Sequence, residues 1–173
     1  MQRINVFSLA AVWLLTAQVF ADDGVTIAVD HASVSQSQTS TDGAWQEAGI
    51  GVVSNLAGAA SGYVNVSNVA ITQIQANVSG GQQQVVVGGG DYIVGAEIDI
   101  SVSDVTVIQV QDGLDDGSQL VQVGAVIGGQ GNPVHSDAEI AVAGIGVIMQ
   151  EQTASNHVRQ VVRIGVVANK YRP

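Results

Sequence analysis

Three histidines, His31, His135 and His157, are the side chains best suited to metal or acid–base work in this 173-residue chain. Such chemistry needs them to converge. They stand instead at unrelated positions of the repeat described below: His31 precedes a Gln pair, His157 follows one, and His135 lies in a Gly-Asn-Pro insertion. No shared metal or catalytic histidine site is expected. Cysteine is absent, which excludes zinc sites built on thiolates and means the fold is held without disulfides. Serine is plentiful, but no Gly-x-Ser-x-Gly elbow supports a hydrolase. The run Asp112-Gly113-Leu114-Asp115-Asp116-Gly117 gathers carboxylates that suit Ca²⁺. It matches neither the EF-hand loop nor the Gly-rich calcium nonapeptide, so a solvated acidic turn is expected. Of the 15 acids no two stand out as a pair for glycoside hydrolysis. Asn65-Val66-Ser67 and Asn77-Val78-Ser79 fit the glycosylation sequon, a pattern β-rich sequences produce freely. The expectation is a protein that is not an enzyme and carries no cofactor.

The side chains that do recur are glutamines. Four pairs, Gln36/Gln38, Gln73/Gln75, Gln109/Gln111 and Gln150/Gln152, each end a strand-like run. Eight residues after each pair comes a further glutamine: Gln46, Gln83, Gln119 and Gln160. Five further on stand Gly51, Gly88, Gly124 and Gly165, read as turn glycines. The spacing Gln-x-Gln-x7-Gln-x4-Gly thus holds without a gap in four copies that start 37, 36 and 41 residues apart. Periodic self-similarity of this length is the signature of a repeat architecture.

The elements that would position these glutamines are strands. Each pair follows a run rich in Val and Ile: VTIAVDHASVS, YVNVSNVAITQ, IDISVSDVTVIQ and IAVAGIGVIMQ. Branched side chains of this kind suit pleated strands. In the second copy Val64 and Val66 alternate with polar residues, and Val69 and Ile71 resume on the opposite parity. The third copy does likewise with Ile98, Ile100 and Val102, then Val105 and Val107. A slip at Ser67-Asn68 and Ser103-Asp104 predicts a bulge or corner there, because side chains change face with each residue. Turn-rich stretches follow at Thr39–Gly43, Ala76–Gly81, Asp112–Gly117 and Thr153–Asn156, and then a returning strand. One repeat is therefore read as strand, corner, strand, turn and returning strand.

Such a unit cannot bury its own apolar face, and stacking copies in register would make one continuous core. Equivalent residues would then lie about 4.7–4.8 Å apart, close enough for each Gln amide to donate to its counterpart. Gln36, Gln73, Gln109 and Gln150 share parity with Val34, Ile71, Val107 and Ile148, so an unpaired amide there would be costly. The expectation is an all-β, β-solenoid-like stack of four Gln-containing strand-turn-strand repeats, approximately 25–62, 63–97, 98–139 and 140–173, with all twelve glutamines forming a self-assembly ladder. The alternative is a β-sandwich or barrel in which the glutamines mark exposed strand ends.

Charge and the N-terminus bear on partners. The chain has net charge −10, and no Lys or Arg occurs between Asp22 and Val158. A nucleic-acid partner is not expected, since phosphate binding needs a basic footprint; acidity of this kind favours solubility outside the cell. The basic residues beyond Arg3 are Arg159, Arg163, Lys170 and Arg172. They either cap the terminal repeat or meet the acidic body of a neighbouring copy and set a head-to-tail polarity. Residues 1–21 read as a secretory signal peptide: Arg3, an apolar stretch from Val6 to Leu15, then small residues to Ala21. That stretch is too short to span a membrane, and no other anchor is expected. Residues 22–173 then form a single β-repeat domain, secreted or extracellular at the cell surface and periplasmic in transit.

Gln- and Gly-rich β-repeats behind a signal peptide, with stretches such as GYVNVSNVAITQIQANVSGGQQQ, resemble the repeats of bacterial functional amyloids, the curli-type and Fap-type fibre subunits. The likeness covers the four repeats. It implies export across the outer membrane, nucleated polymerisation, and a role in surface attachment or biofilm. The expected function is a secreted structural protein that assembles with itself, and with related fibre subunits, into extracellular fibres or a surface or biofilm matrix. The alternative is a secreted β-sandwich adhesin, or an accessory or chaperone of a secretion or fibre-assembly system.

Overall fold

A computed structural model describes residues 2–6, 10–18, 24–39, 43, 45–54, 61–91, 93, 96–113, 116–128, 138–153 and 159–169. Among the described residues ten strands follow one another: β1 (Gln2–Val6), β2 (Ala10–Gln18), β3 (Val25–Thr39), β4 (Trp45–Ser54), β5 (Ser61–Val78), β6 (Gln82–Asp91), β7 (Glu97–Gly113), β8 (Ser118–Gly128), β9 (Ala138–Gln152) and β10 (Arg159–Asn169). Odd-numbered strands form one five-stranded sheet and even-numbered strands a second, in the orders β1-β3-β5-β7-β9 and β10-β8-β6-β4-β2. The strand pairings among the described residues are parallel. The chain is all-β, and neither sheet closes on itself, so it is not a barrel.

Each repeat supplies one long strand to the first sheet and one shorter strand to the second, making a layer. Pairing joins equivalent positions: Gln36 stands beside Gln73, Gln73 beside Gln109, and Gln109 beside Gln150. In the other sheet Gln46, Gln83, Gln119 and Gln160 follow the same rule. The Val and Ile of the two inner faces meet in one cluster that includes Val34, Ile71 and Val107 from the first sheet and Ile50, Val87 and Val123 from the second. Parallel sheets buried in this way depend on neighbours at both sides, because a single strand pair hides little apolar surface.

The predicted corner is present. Asn68 and Asp104 have φ of 53°, and His31 and Gly144 occupy the matching places with φ of 59° and 60°. One left-handed residue turns the strand and shifts its side-chain parity, which is why burial runs through Val64 and Val66, skips Ser67 and Asn68, and resumes at Val69. Asn, Asp and His tolerate this conformation better than other side chains.

The glycines read as turn residues sit elsewhere. Gly51, Gly88, Gly124 and Gly165 lie inside β4, β6, β8 and β10, with φ between 55° and 62°. They kink the second sheet opposite the corner of the first. A Cβ on Gly124 would come 2.6 Å from Val142 Cγ2 of the next layer, so close approach and positive φ both require glycine there.

Residues 2–18, within the expected leader, contribute β1 and β2. These strands pair parallel with β3 and β4, from Gln2 beside Ala32 to Gln18 beside Ser54. An open sheet edge presents unpaired N–H and C=O groups that any extended segment can satisfy. Ala21, the end of the expected leader, lies outside the described residues.

Candidate self-assembly surface

The first ladder runs along the first sheet. Gln73 Nε2 donates to Gln36 Oε1 at 2.6 Å, Gln109 Nε2 to Gln73 Oε1 at 2.8 Å, and Gln150 Nε2 to Gln109 Oε1 at 2.8 Å. A second ladder lies two residues on. Gln75 Nε2 donates to Gln38 Oε1 at 3.0 Å, Gln111 Nε2 to Gln75 Oε1 at 2.8 Å, and Gln152 Nε2 to Gln111 Oε1. The third ladder belongs to the second sheet: Gln83 Nε2 donates to Gln46 Oε1 at 2.9 Å, Gln119 Nε2 to Gln83 Oε1 and Gln160 Nε2 to Gln119 Oε1 at 2.8 Å each. All twelve expected glutamines are thus brought together in three rows. From the second layer on, each of these amides donates to the layer before it, so the rows share one polarity.

Most of these amides also donate to a backbone carbonyl. Gln36, Gln73, Gln109 and Gln150 donate across to the carbonyls of Glu47, Gln84, Leu120 and Val161 at 2.9–3.3 Å, tying the two sheets within a layer. Gln46, Gln83 and Gln119 donate to the carbonyls of Ile74, Val110 and Glu151 at 3.2–3.3 Å, each one layer further on. Gln73, Gln75 and Gln109 are completely buried, which these bonds make tolerable. Sequence spacing predicts the ladder; it does not reveal the carbonyl partners, which depend on how the sheets are offset.

No family model, no curated protein and no solved structure matches this chain.

The two ends of the rows differ. In the first layer Gln36 and Gln46 are buried, and β1 and β2 pair along that edge. In the fourth layer Gln152 Oε1 is buried with no hydrogen-bond partner, and Gln160 is exposed. Core positions are uncovered there too: Ile164 is 43% exposed, whereas its register equivalents Ile50, Val87 and Val123 are fully buried.

Outside the rows the remaining candidates scatter. His31 lies at an exposed corner with Nδ1 2.7 Å from Asp30 Oδ2, and His135 and His157 lie outside the described residues. Asp30 Oδ1 also accepts from Ser67 Oγ and Asn68 Nδ2, both at 2.7 Å. The Asn68 amide first, then the Ser67 hydroxyl and His31, hold the Asp30 carboxyl at about 2. This interlayer corner contact was missed in the sequence; a polar residue able to adopt positive φ five places before each Gln pair is its signal in the first three copies. Asp112 of the acidic run accepts from Thr153 Oγ1 at 2.7 Å, while Leu114 and Asp115 lie outside the described residues. Both sequon asparagines, Asn65 and Asn77, are exposed.

A shallow groove of about 370 Å³ crosses the outer face of the second sheet, bordered by Glu47, Val52, Gln84, Leu120, Gln122 and Arg163. Glu47 is only 8% exposed, and burial raises its carboxyl above the ordinary range. Neither feature was evident from the sequence, where Glu47 is one acid among 15.

Proposed function

We propose that this chain is an exported, non-enzymatic structural subunit, a β-solenoid that assembles with itself into extracellular fibres or a surface or biofilm matrix. The signal-like residues 1–21 direct export, with the periplasm as a stage in transit. The observation that carries the reading is the set of three parallel glutamine rows, all of one polarity, that stop at an uncovered fourth layer holding a buried, unpartnered Gln152 Oε1. An interior row whose last acceptor lacks a donor favours the addition of another layer, because a buried acceptor left unmade costs about 1–3 kcal/mol.

Electron microscopy and fibre diffraction of the exported, processed protein test this. The expected result is filaments with a reflection near about 4.7–4.8 Å along the axis. A monodisperse monomer at every concentration, with no such reflection, would refute it.

The groove beside Glu47 and Arg163 favours a second reading, a secreted binding module such as an adhesin or a fibre-assembly accessory. Under that reading the protein stays monomeric and takes a defined ligand in the groove.

A further inference from the structure

The fourth layer presents matched gaps. Gln152 Oε1 has no donor. Gln46, Gln83 and Gln119 each find a carbonyl one layer on, and among the described residues Gln160 has no such layer to reach. Ile164 and Val167 are exposed at positions where Val123 and Val126 are buried. At the other end, the first-layer edge that would supply a continuing layer is the one paired with β1 and β2.

We propose that the fourth-layer face of one copy receives the first layer of a second copy freed of residues 1–21, in the register that continues the repeats. Gln150, Gln152 and Gln160 then accept from Gln36, Gln38 and Gln46 of the second copy, and Gln160 donates to the carbonyl of its Ser37, the equivalent of Ile74, Val110 and Glu151. This inference rests on the self-assembly reading and adds the joint, its register and its dependence on removal of the leader.

Charge on the outer face of the second sheet selects the same joint. Arg159 continues the register series Trp45, Gln82, Ser118, so it falls beside Trp45 of the second copy. That indole is 48% exposed, and a guanidinium over an indole face is attracted by the ring quadrupole. Arg163 continues the series Gly49, Val86, Gln122, and Val161, two residues before it, continues Glu47, Gln84, Leu120. Arg163 therefore lies diagonally across from Glu47 of the second copy, with Gly49 leaving room for its stem. Glu47 is desolvated, and among the described residues it has no cationic partner. Among the described residues of the repeats, both arginines lie on the fourth-layer face that receives the second copy, and the exposed indole and the buried carboxylate lie in the first layer that docks on it.

A cross-link reads the register directly, because the chain has no cysteine of its own. Met149 of the fourth layer and Ser35 of the first are exposed and register-equivalent through Thr72 and Ile108. In the joint their Cα atoms come about 5 Å apart, within disulfide reach; inside one copy they are three layers apart, roughly 14 Å, and beyond it. Protein carrying Met149→Cys and Ser35→Cys, recovered after export and confirmed by mass to lack residues 1–21, should oxidise to a series of covalent multimers. With Thr26→Cys in place of Ser35→Cys, roughly 30 Å away along the strand, multimers should fall at least tenfold. The same double variant made without export and retaining residues 1–21 should fall at least tenfold too. Arg163→Glu should slow assembly about tenfold, and Glu47→Arg in the same chain should restore it.

Filaments whose cross-linking does not distinguish Ser35 from Thr26, or whose growth ignores the charge swap, would overturn this joint and leave the self-assembly reading standing. Equal cross-linking with residues 1–21 retained would overturn the dependence on the leader. Absence of any assembly by the processed chain would overturn both the joint and the proposed function.

Discussion

Ile100 in the third layer and Ile140 in the fourth occupy one register position, yet Ile100 is 2% exposed and Ile140 only half-buried. Val123 and Ile164 repeat the contrast in the other sheet, fully buried against 43% exposed. The strand register is the same and each residue is branched and apolar, so the difference lies in the neighbours. The third layer has a strand on either side in both sheets, and the fourth has one on a single side. A layer does not bury its own core; the layers beside it do that. Each Val or Ile left half-uncovered forgoes roughly 1 kcal/mol. The glutamine rows follow the same logic: Gln109 has all its amide bonds made, while Gln152 keeps a buried acceptor open.

The largest expected effect comes from breaking an interior row. Gln109→Ala removes the donor to Gln73 Oε1 and to the Leu120 carbonyl, and the acceptor of Gln150. It should cost about 4 kcal/mol, against about 1–2 for Gln150→Ala at the open end. Denaturant midpoints of the two variants measure the gap, and equal costs would dissolve the distinction between interior and terminal layers. Next comes the apolar pair. Ile100→Ala should lose about 3 kcal/mol and Ile140→Ala roughly half as much, in the same titration. Assembly should raise the second loss toward the first.

The corner gives a smaller effect. Gly144 has φ of 60°, and a Cβ there would stand 2.5 Å from Asp104 Oδ1 and 3.1 Å from the Asp104 nitrogen. Gly144→Ala should destabilise by about 1–2 kcal/mol in thermal or denaturant unfolding. The smallest effects are pH-dependent. Asp30 has its carboxyl lowered to about 2, so its contribution is present above the ordinary carboxylate value of about 3.9 and is lost as pH falls toward about 2. Asp30→Asn should flatten the unfolding midpoint across that window. Glu47 has the opposite sign: its raised value favours folding at low pH, and that help fades as pH rises through it. Glu47→Gln should therefore remove a loss of stability on the neutral side of that range.

Much of this was legible in the sequence for a physical reason. A parallel stack demands equivalence between layers, so the spacing of Gln36, Gln38 and Gln46 had to recur, and a left-handed residue had to break strand parity in the same place. The paired Val64/Val66 and Val69/Ile71 runs carried that break openly. Gly51 and its equivalents were misread as turns, because freedom at positive φ serves a kink inside a strand as well as a turn between strands. The carbonyl partners of Gln46, Gln83 and Gln119 were invisible, since the offset of one sheet against the other is a property of packing. The pairing of residues 2–18 was hidden for a different reason: an apolar leader and an edge strand share composition, and pairing depends on an open sheet edge that the sequence of the segment does not display. Glu47 gave no sign of burial, because strand alternation alone places it on the outer face and the groove arises from the kinked sheet.

Side-chain amide exchange of the row glutamines, resolved by NMR on the intact chain, tests most directly whether each amide bonds its counterpart in the next layer. Gln73 and Gln109, buried and doubly bonded, should exchange only through global unfolding, many orders of magnitude slower than the exposed Gln82. Exchange of Gln73 and Gln109 at the rate of Gln82 would mean the rows do not exist.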